Sequence, residues 1–342
     1  MRWDNLRLDV RQRDDRVTAP LFEQGAVVRT FDTPEFRGIT FYEVQAKSII
    51  NRVPEQSYVP FRWTINPYRG CSHLCRYCFA RRTHTYLDLD YGEDFDTKIV
   101  VKVNAPEKLR HELAAPNWGG EHIAMGTNVD CYQRAEGRYR LMPGILGALR
   151  DFANPFSILT KGTLILRDLP LLSECAEVTD VATNFSVGTV DRHLWRAVEA
   201  GTPSPLKRLD AVRKLNEAGI PCGVLMAPIL PFLSDDDEHV EATVRAIAEA
   251  GATHVAPIVL HLRKGGSREW WMAWLEEHRP DLVPKYRELY GDRAYAPKAY
   301  QNQVAERVAA LAARYGIGRR SGAAARRVER PAPATPQQLP LL

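Results

Sequence analysis

Apolar and polar residues alternate along the middle of the chain in a pattern that predicts strands and helices in turn. Six short apolar runs indicate β-strands, at residues 98–103, 122–126, 156–160, 180–186, 221–226 and 255–260. Helical stripes lie between them, such as the one formed by Leu209, Val212 and Leu215. Strands that alternate with helices predict a parallel sheet with right-handed crossovers. The expected fold class is therefore α/β, with six β/α units in a barrel-like arrangement.

The segments on either side follow other patterns. Residues 1–60 carry short apolar runs separated by Pro and Gly, which predict a β-rich N-terminal extension. Residues 265–318 carry helical stripes, including Trp271 and Trp274, which predict a C-terminal helical extension packed against the α/β domain. Residues 319–342 are mainly Arg, Ala, Pro and Gln, and they predict a disordered, basic, Pro-rich tail.

Charge and composition narrow the class of protein. The net charge is +4, and the five arginines and one glutamate of residues 319–342 account for all of it. A body of zero net charge argues against a general nucleic-acid binder. The sequence has no apolar run of about 18 residues and no signal-peptide core, so we expect a cytoplasmic protein without a membrane partner. In a reducing compartment its cysteines are expected to be ligands or free thiols.

The most informative stretch is a loop with three cysteines, Cys71, Cys75 and Cys78, in the spacing C-x3-C-x2-C. Thiolates favour iron–sulfur clusters, zinc or copper. A structural zinc site needs four ligands, usually in two paired knuckles, and the sequence has no second C-x2-C. Three ligands suit a four-iron cluster in which one iron stays open for a substrate atom. A structural cysteine cluster or a half-built zinc site is the alternative.

With its flanks, this loop resembles a known enzyme family. The stretch Arg69-Gly-Cys-Ser-His-Leu-Cys-Arg-Tyr-Cys-Phe-Ala80 is similar to the radical S-adenosylmethionine (SAM) enzymes, in particular the branch related to spore photoproduct lyase. The resemblance implies a [4Fe–4S] cluster on the three cysteines, SAM as a second cofactor, and an electron donor such as flavodoxin or ferredoxin. It also implies a partial TIM barrel, (β/α)6, over residues 61–264, to which the flanking segments are additions.

Candidate SAM contacts follow the predicted strands, because such barrels place their active sites at the carboxyl ends of strands. The resemblance assigns Lys161 to the SAM carboxylate and Ser186 to its ribose. A solvated loop lysine is the alternative for Lys161. The full set of candidate SAM-binding residues is Tyr77, Gly126, Thr127, Asp130, Lys161 and Ser186. The Gly119-Gly-Glu121 triplet, which looks like a family motif for the SAM amino group, precedes its strand and is interpreted as a turn.

The segment after the second predicted strand holds a further candidate. Asp130, Gln133 and Glu136 fit the Asp-Pro-Tyr-Gln-x-x-Glu pattern of the resembling proteins, with Cys131 in place of Pro. Cys131 is a candidate catalytic hydrogen-atom donor, and a spectator core thiol is the alternative. The donor cysteine of spore photoproduct lyase itself would correspond to a position near Gly126, so that donor is missing, which argues against thymine-dimer repair.

Three functions stay open at this point. The first is a radical enzyme acting on nucleic acid, which the resemblance and the basic tail favour. The second is radical modification of a small molecule or peptide, which the neutral body favours. The third is a non-catalytic iron–sulfur or zinc protein that uses the cysteine loop to hold its fold or a partner.

Overall fold

The structure is a computed structural model that describes residues 25–57 and 59–318. Its strands are β1 (Val27–Thr30), β2 (Thr40–Val44), β3 (Ile50–Arg52), β4 (Trp63–Ile65), β5 (Tyr68–Arg69), β6 (Lys98–Lys102), β7 (Ile123–Met125), β8 (Phe156–Thr160), β9 (Val181–Ser186), β10 (Cys222–Ile229) and β11 (Val255–Val259). Its α-helices are α1 (Glu93–Thr97), α2 (Ala105–Leu113), α3 (Arg134–Tyr139), α4 (Leu141–Asp151), α5 (Leu169–Val178), α6 (Arg192–Val198), α7 (Pro205–Glu217), α8 (Asp237–Glu249), α9 (Ser267–His278), α10 (Val283–Tyr290) and α11 (Lys298–Arg314). The predicted tail at 319–342 and residues 1–24 lie outside the described residues.

A seven-stranded sheet with the order β11-β10-β9-β8-β7-β4-β3 carries the fold. Its first six members are parallel to one another, and β3 joins the edge antiparallel to β4. Side chains alternate across it: Phe156 and Ile158 of β8 are fully buried, whereas Ser157 between them is half-buried. The prediction of an α/β fold built on a parallel sheet is confirmed.

The first strand of the parallel sheet is not the one that the sequence predicts. The predicted strand at 98–103 exists as β6, but it lies in a second sheet, ordered β1-β2-β6-β5. The three-residue strand β4 takes its place, since it pairs in parallel with β7. Both sheets contain strands with buried apolar residues, so an apolar run such as Ile99–Val101 cannot show by itself which sheet it joins.

The remaining segments agree with the expected secondary structure. The short predicted strands before residue 60 appear as β1, β2 and β3, and the chain after residue 265 forms α9, α10 and α11. Trp271, Trp274 and Tyr286 pack together in an apolar cluster on the C-terminal helices. Within the described residues, none of the helices has the length and apolar character needed to cross a bilayer.

Candidate active site

The cysteine loop leaves β5 and is held by backbone contacts on both sides. The amide of Cys71 donates to the carbonyl of Phe95 at 2.9 Å. The carbonyl of Cys75 accepts from the buried guanidinium of Arg81 at 3.0 Å, and Arg81 also forms an ion pair with Asp96 at 2.8 Å. These contacts fix the backbone of the loop at Cys71 and at Cys75.

The three thiols are free and line one cleft. Cys71 and Cys75 are buried, and Cys78 is half-buried. Burial raises the pKa of all three thiols, so the thiolate forms need a compensating cation. Within residues 25–57 and 59–318, no three Cys, His, Asp or Glu side chains converge closely enough to hold a single metal ion. Three thiols that come from one loop and line the same cleft are a donor set that suits an iron–sulfur cluster.

The cleft lies at the carboxyl ends of the parallel strands, where β7, β8, β9, β10 and β11 each contribute to its wall. Besides the loop, its lining includes Gly126, Thr127, Val129, Asp130, Leu159, Lys161, Ser186, Leu225, Ala227, Ile258, Leu260 and His261. Gly126 turns with φ of +75°, and a Cβ there would come within 1.8 Å of the carbonyl oxygen of Leu159. Only glycine lets β7 leave the sheet so close to β8.

Asp130 ties the ends of two strands together. One of its carboxylate oxygens accepts from the hydroxyl of Thr160 at 2.7 Å, and the other accepts from the amide of Lys161 at 2.6 Å. The second oxygen also lies 3.4 Å from Nδ1 of His73 in the cysteine loop. Asp130 thus fixes the backbone of Lys161 relative to the loop.

Gln133 and Glu136, the other members of the sequence pattern, contact the cysteine loop and the strand before it from the protein interior. Fully buried Gln133 accepts from the amide of Ser72 at 3.0 Å and donates to the carbonyl of Gly70 at 2.9 Å. Glu136, also fully buried, accepts from the hydroxyl of Tyr68 at 2.5 Å and forms an ion pair with Arg167 at 2.6 Å. The pattern that begins at Asp130 is therefore a set of positioning residues.

A charge network runs from the cleft lining into the protein interior, and we call Tyr77, Lys161, Glu199 and Arg208 the buried charge network. The Glu199 carboxylate accepts from the hydroxyl of Tyr77, from the guanidinium of Arg208 and, at 3.3 Å, from the ammonium of Lys161. The Lys161 ammonium also donates to Oγ of Ser186 at 2.5 Å and lies 5.6 Å from the centre of the Tyr77 ring. One carboxylate thus orders two cations and a phenol that flank the cysteine loop.

Electrostatics keep this carboxylate ionised. Burial alone would raise the pKa of Glu199, but the charges of Arg208 and Lys161 and the hydrogen bond from Tyr77 outweigh it and lower the pKa to about 2. Arg208 is fully buried, and its guanidinium also donates to the carbonyl of Ser186 at 2.7 Å. The network therefore fixes the end of β9 as well as the position of Lys161.

Comparison with known proteins decides the family. The family model described as "Radical SAM superfamily" matches residues 65–247, more than half of the chain. The chain belongs to the radical SAM superfamily. SAM and a [4Fe–4S] cluster are therefore its cofactors, as the sequence predicted, and like other radical SAM enzymes it needs an electron donor.

Individual relatives agree with this assignment. An uncharacterized protein of Mycobacterium tuberculosis is 50% identical over 318 residues, which are 93% of each chain. An uncharacterized protein of Methanocaldococcus jannaschii is 31% identical over 199 residues, 58% of this chain and 70% of the relative. In fold, the chain is similar to spore photoproduct lyase complexed with a dinucleoside spore photoproduct, with a TM-score of 0.61, 17% identity and coverage of 81% of this chain and 80% of that one.

The structure brings nearly all the predicted site residues of this radical SAM protein together. The residues that line the cleft are Cys71, Cys75, Tyr77, Cys78, Gly126, Thr127, Asp130, Lys161 and Ser186. Cys131 is fully buried in the main core and does not line the cleft, which gives no support to a donor role. Gly119, Gly120 and Glu121 lie in the loop before β7, away from the cleft.

Sequence reasoning missed Glu199 as a functional residue. It stands in the segment Glu-Ala-Gly-Thr-Pro-Ser-Pro of residues 199–205, whose Pro and Gly content indicates only a turn. Its partner Lys161 is 38 positions away. The available signal was chemical: Glu199 and Arg208 carry opposite charges and stand nine positions apart, on either side of the turn. The aromatic side of the cleft, at Phe79 and His261, was also missed.

Proposed function

We propose that this chain is a radical SAM enzyme whose [4Fe–4S] cluster is held by Cys71, Cys75 and Cys78. When bound, the cluster supplies the electron that cleaves SAM to methionine and a 5′-deoxyadenosyl radical, which takes a hydrogen atom from the substrate. The observation that carries the proposal is that three free thiols share one cleft with Lys161 and Ser186 at the carboxyl ends of parallel strands.

The chain's own residues bind and orient SAM in this proposal. Lys161 offers its ammonium to the SAM carboxylate, and the hydroxyl of Ser186 lies 2.5 Å from that ammonium, close enough to serve the same ligand. Backbone groups of the turn at Gly126 and Thr127, which line the cleft, meet the amino group in this proposal. The apolar walls at Val129, Leu159 and Leu225 of the cleft exclude water from the reacting atoms.

The wider assignment follows from the same site. We infer that the six parallel strands curve around the cleft as a partial TIM barrel, (β/α)6, spanning residues 61–264, with residues 1–60 and 265–318 as additions. A cytoplasmic flavodoxin or ferredoxin is the proposed electron donor. The substrate is either a nucleic acid, or a small molecule or peptide. The fold similarity to spore photoproduct lyase favours a nucleic acid, and the zero net charge of residues 1–318 favours a small molecule or peptide.

The decisive experiment is anaerobic reconstitution with iron, sulfide, SAM and a strong reductant, followed by an assay for 5′-deoxyadenosine. Slow formation of 5′-deoxyadenosine without substrate is the expected result. A reconstituted protein that carries the cluster but never cleaves SAM would favour the non-catalytic alternative, and stoichiometric zinc in anaerobically purified protein would exclude the cluster.

A further inference from the structure

Large apolar side chains are exposed on one side of the cleft. Phe79 and Ile258, both cleft residues, are each 39% exposed, and Tyr295 beside them is 47% exposed. His261, another cleft residue, lies between the two aromatic rings. We call Phe79, His261 and Tyr295 the aromatic rim. Adjacent exposed apolar side chains are uncommon on a protein surface, and beside a candidate active site they indicate a binding surface.

In the aromatic rim, the His261 ring stacks on Tyr295 and lies tilted by 41° against Phe79. The His261 ring centre lies 5.3 Å from that of Phe79 and 5.5 Å from that of Tyr295, and the planes of His261 and Tyr295 differ by only 28°. Burial and the nearby charge of Arg263 lower the pKa of His261 to about 4, so its imidazole is neutral at physiological pH. The aromatic rim therefore offers uncharged π faces.

The C-terminal extension holds the outer part of this stack in place. His261 and Tyr295 form an antiparallel β-bridge, and the amide of Leu262 donates to the carbonyl of Ala294 at 2.7 Å. The Arg263 guanidinium donates to the hydroxyl of Tyr295 at 3.0 Å and sets the ring plane. These contacts lie beyond residue 247, where the match to the family model ends. The aromatic rim therefore joins Phe79 of the family match to His261 and Tyr295, which lie beyond it, and Tyr295 belongs to the C-terminal extension.

We propose that the aromatic rim binds the substrate and selects one that carries a planar aromatic ring. This proposal rests on the proposed function. Flat rings stack on aromatic faces at centre distances of about 4.5–7 Å, and the rings of the aromatic rim already adopt this spacing with each other. A puckered saturated ring of similar size cannot make the same face contact. The neighbouring cleft wall, with Ile258 and Leu260, supplies the apolar edge of such a site.

The test uses reconstituted protein with its cluster and S-adenosylhomocysteine, titrated with paired probes and followed by ligand-observed NMR up to millimolar concentrations. One pair is uridine and 5,6-dihydrouridine; the other is N-acetylphenylalaninamide and N-acetylcyclohexylalaninamide. In at least one pair, the planar probe should bind about three- to tenfold more tightly than its saturated partner. The pair that shows the preference tells whether the ring comes from a nucleobase or from an aromatic side chain.

Variants separate the aromatic rim from general apolar binding. Tyr295→Leu should remove the preference for the planar probe, and Tyr295→Trp should retain it. Tyr86→Leu is the matched control, because Tyr86 is 45% exposed, as Tyr295 is at 47%, but has no place in the aromatic rim. Equal binding within both pairs, no binding of any planar probe, or a preference that survives in Tyr295→Leu would overturn the proposal.

This outcome is separate from that of the proposed function, because the probes need no SAM cleavage. Formation of 5′-deoxyadenosine without any planar preference would overturn only the role of the aromatic rim. A planar preference in a protein that never forms 5′-deoxyadenosine would overturn the enzymatic function and leave the binding surface.

Discussion

The buried charge network and the aromatic rim belong to the same cleft but are built in opposite ways. In the network, Arg208 is fully buried and Glu199 is 5% exposed, and each has several charged or hydrogen-bonded partners. In the aromatic rim, Phe79 and Tyr295 are 39% and 47% exposed, and their contacts are ring contacts, one β-bridge and a hydrogen bond to an exposed arginine side chain. Each charged side chain of the network is held by more than one partner, as suits the binding of a cofactor that is common to a whole family. The aromatic rim has fewer polar contacts and more exposed surface, as suits a surface that meets a substrate from solution.

The cysteines give the largest expected effect on the cofactor side of this comparison. Replacing Cys71, Cys75 or Cys78 by Ala should remove most of the iron and abolish SAM cleavage, since two thiolates cannot hold the cluster. Iron and sulfide analysis of anaerobically purified protein measures this. Cys175→Ala is the matched control: its thiol is also buried, but it lies on α5 away from the cleft, so the iron content should stay unchanged. Full iron in all three loop variants would contradict the assignment.

The network should be the next most sensitive feature. Glu199→Gln leaves the charges of Arg208 and Lys161 without their carboxylate, and breaking a buried pair in this way costs about 3–5 kcal/mol. Chemical denaturation measures the free energy of unfolding. Asp210→Asn, in an exposed cluster with Arg213 and Lys214, is the control and should change it little. A Glu199→Gln variant as stable as the wild type would show that the network does not stabilise the fold.

The same variant carries a pH prediction. The pKa of Glu199 is lowered in the folded protein to about 2, from an ordinary value of 4.5. Its ionised form therefore stabilises the fold above pH 4.5, and that contribution is lost as the pH falls from 4.5 towards 2. The free energy of unfolding of the wild type, minus that of Glu199→Gln, should shrink across this interval. A difference that stays constant with pH would contradict the low pKa.

Some of this arrangement could be predicted from sequence, because local patterns determine it. The cysteine spacing predicted the cluster loop, and the apolar runs predicted the strands that end just before Lys161 and at Ser186. The three-residue strand β4 was too short to give a pattern, so β6 was assigned in its place. Contacts such as Glu199 with Lys161, or Tyr295 with His261, join residues far apart in the chain, and no local pattern records them.

The turn at the end of β7 tests how tightly the cofactor side is built. Gly126→Ala adds a Cβ that would meet the carbonyl oxygen of Leu159 at 1.8 Å, so the backbone must move. Gly219→Ala is the control, because φ there is +80° with nothing within 4 Å of the added Cβ. The control should lose only the roughly 1–2 kcal/mol of left-handed backbone strain, and Gly126→Ala should lose more. Equal losses in chemical denaturation would mean that the strand ends have room to relax.

Lys161 gives the smallest of these effects and the most direct test of the cofactor side. Lys161→Ala should weaken SAM binding by about 1–3 kcal/mol, the range for a lost hydrogen bond to a charged group. The iron content should stay unchanged, because Lys161 contacts Glu199 and Ser186 and is not a proposed ligand of the cluster. Lys207→Ala removes an exposed lysine from α7 and should leave SAM affinity unchanged. Equilibrium binding of SAM to the oxidised, cluster-loaded protein measures both variants without requiring turnover. An unchanged affinity in Lys161→Ala would mean that the ammonium serves only to neutralise Glu199. The cation that faces the SAM carboxylate would then have to come from another part of the cleft.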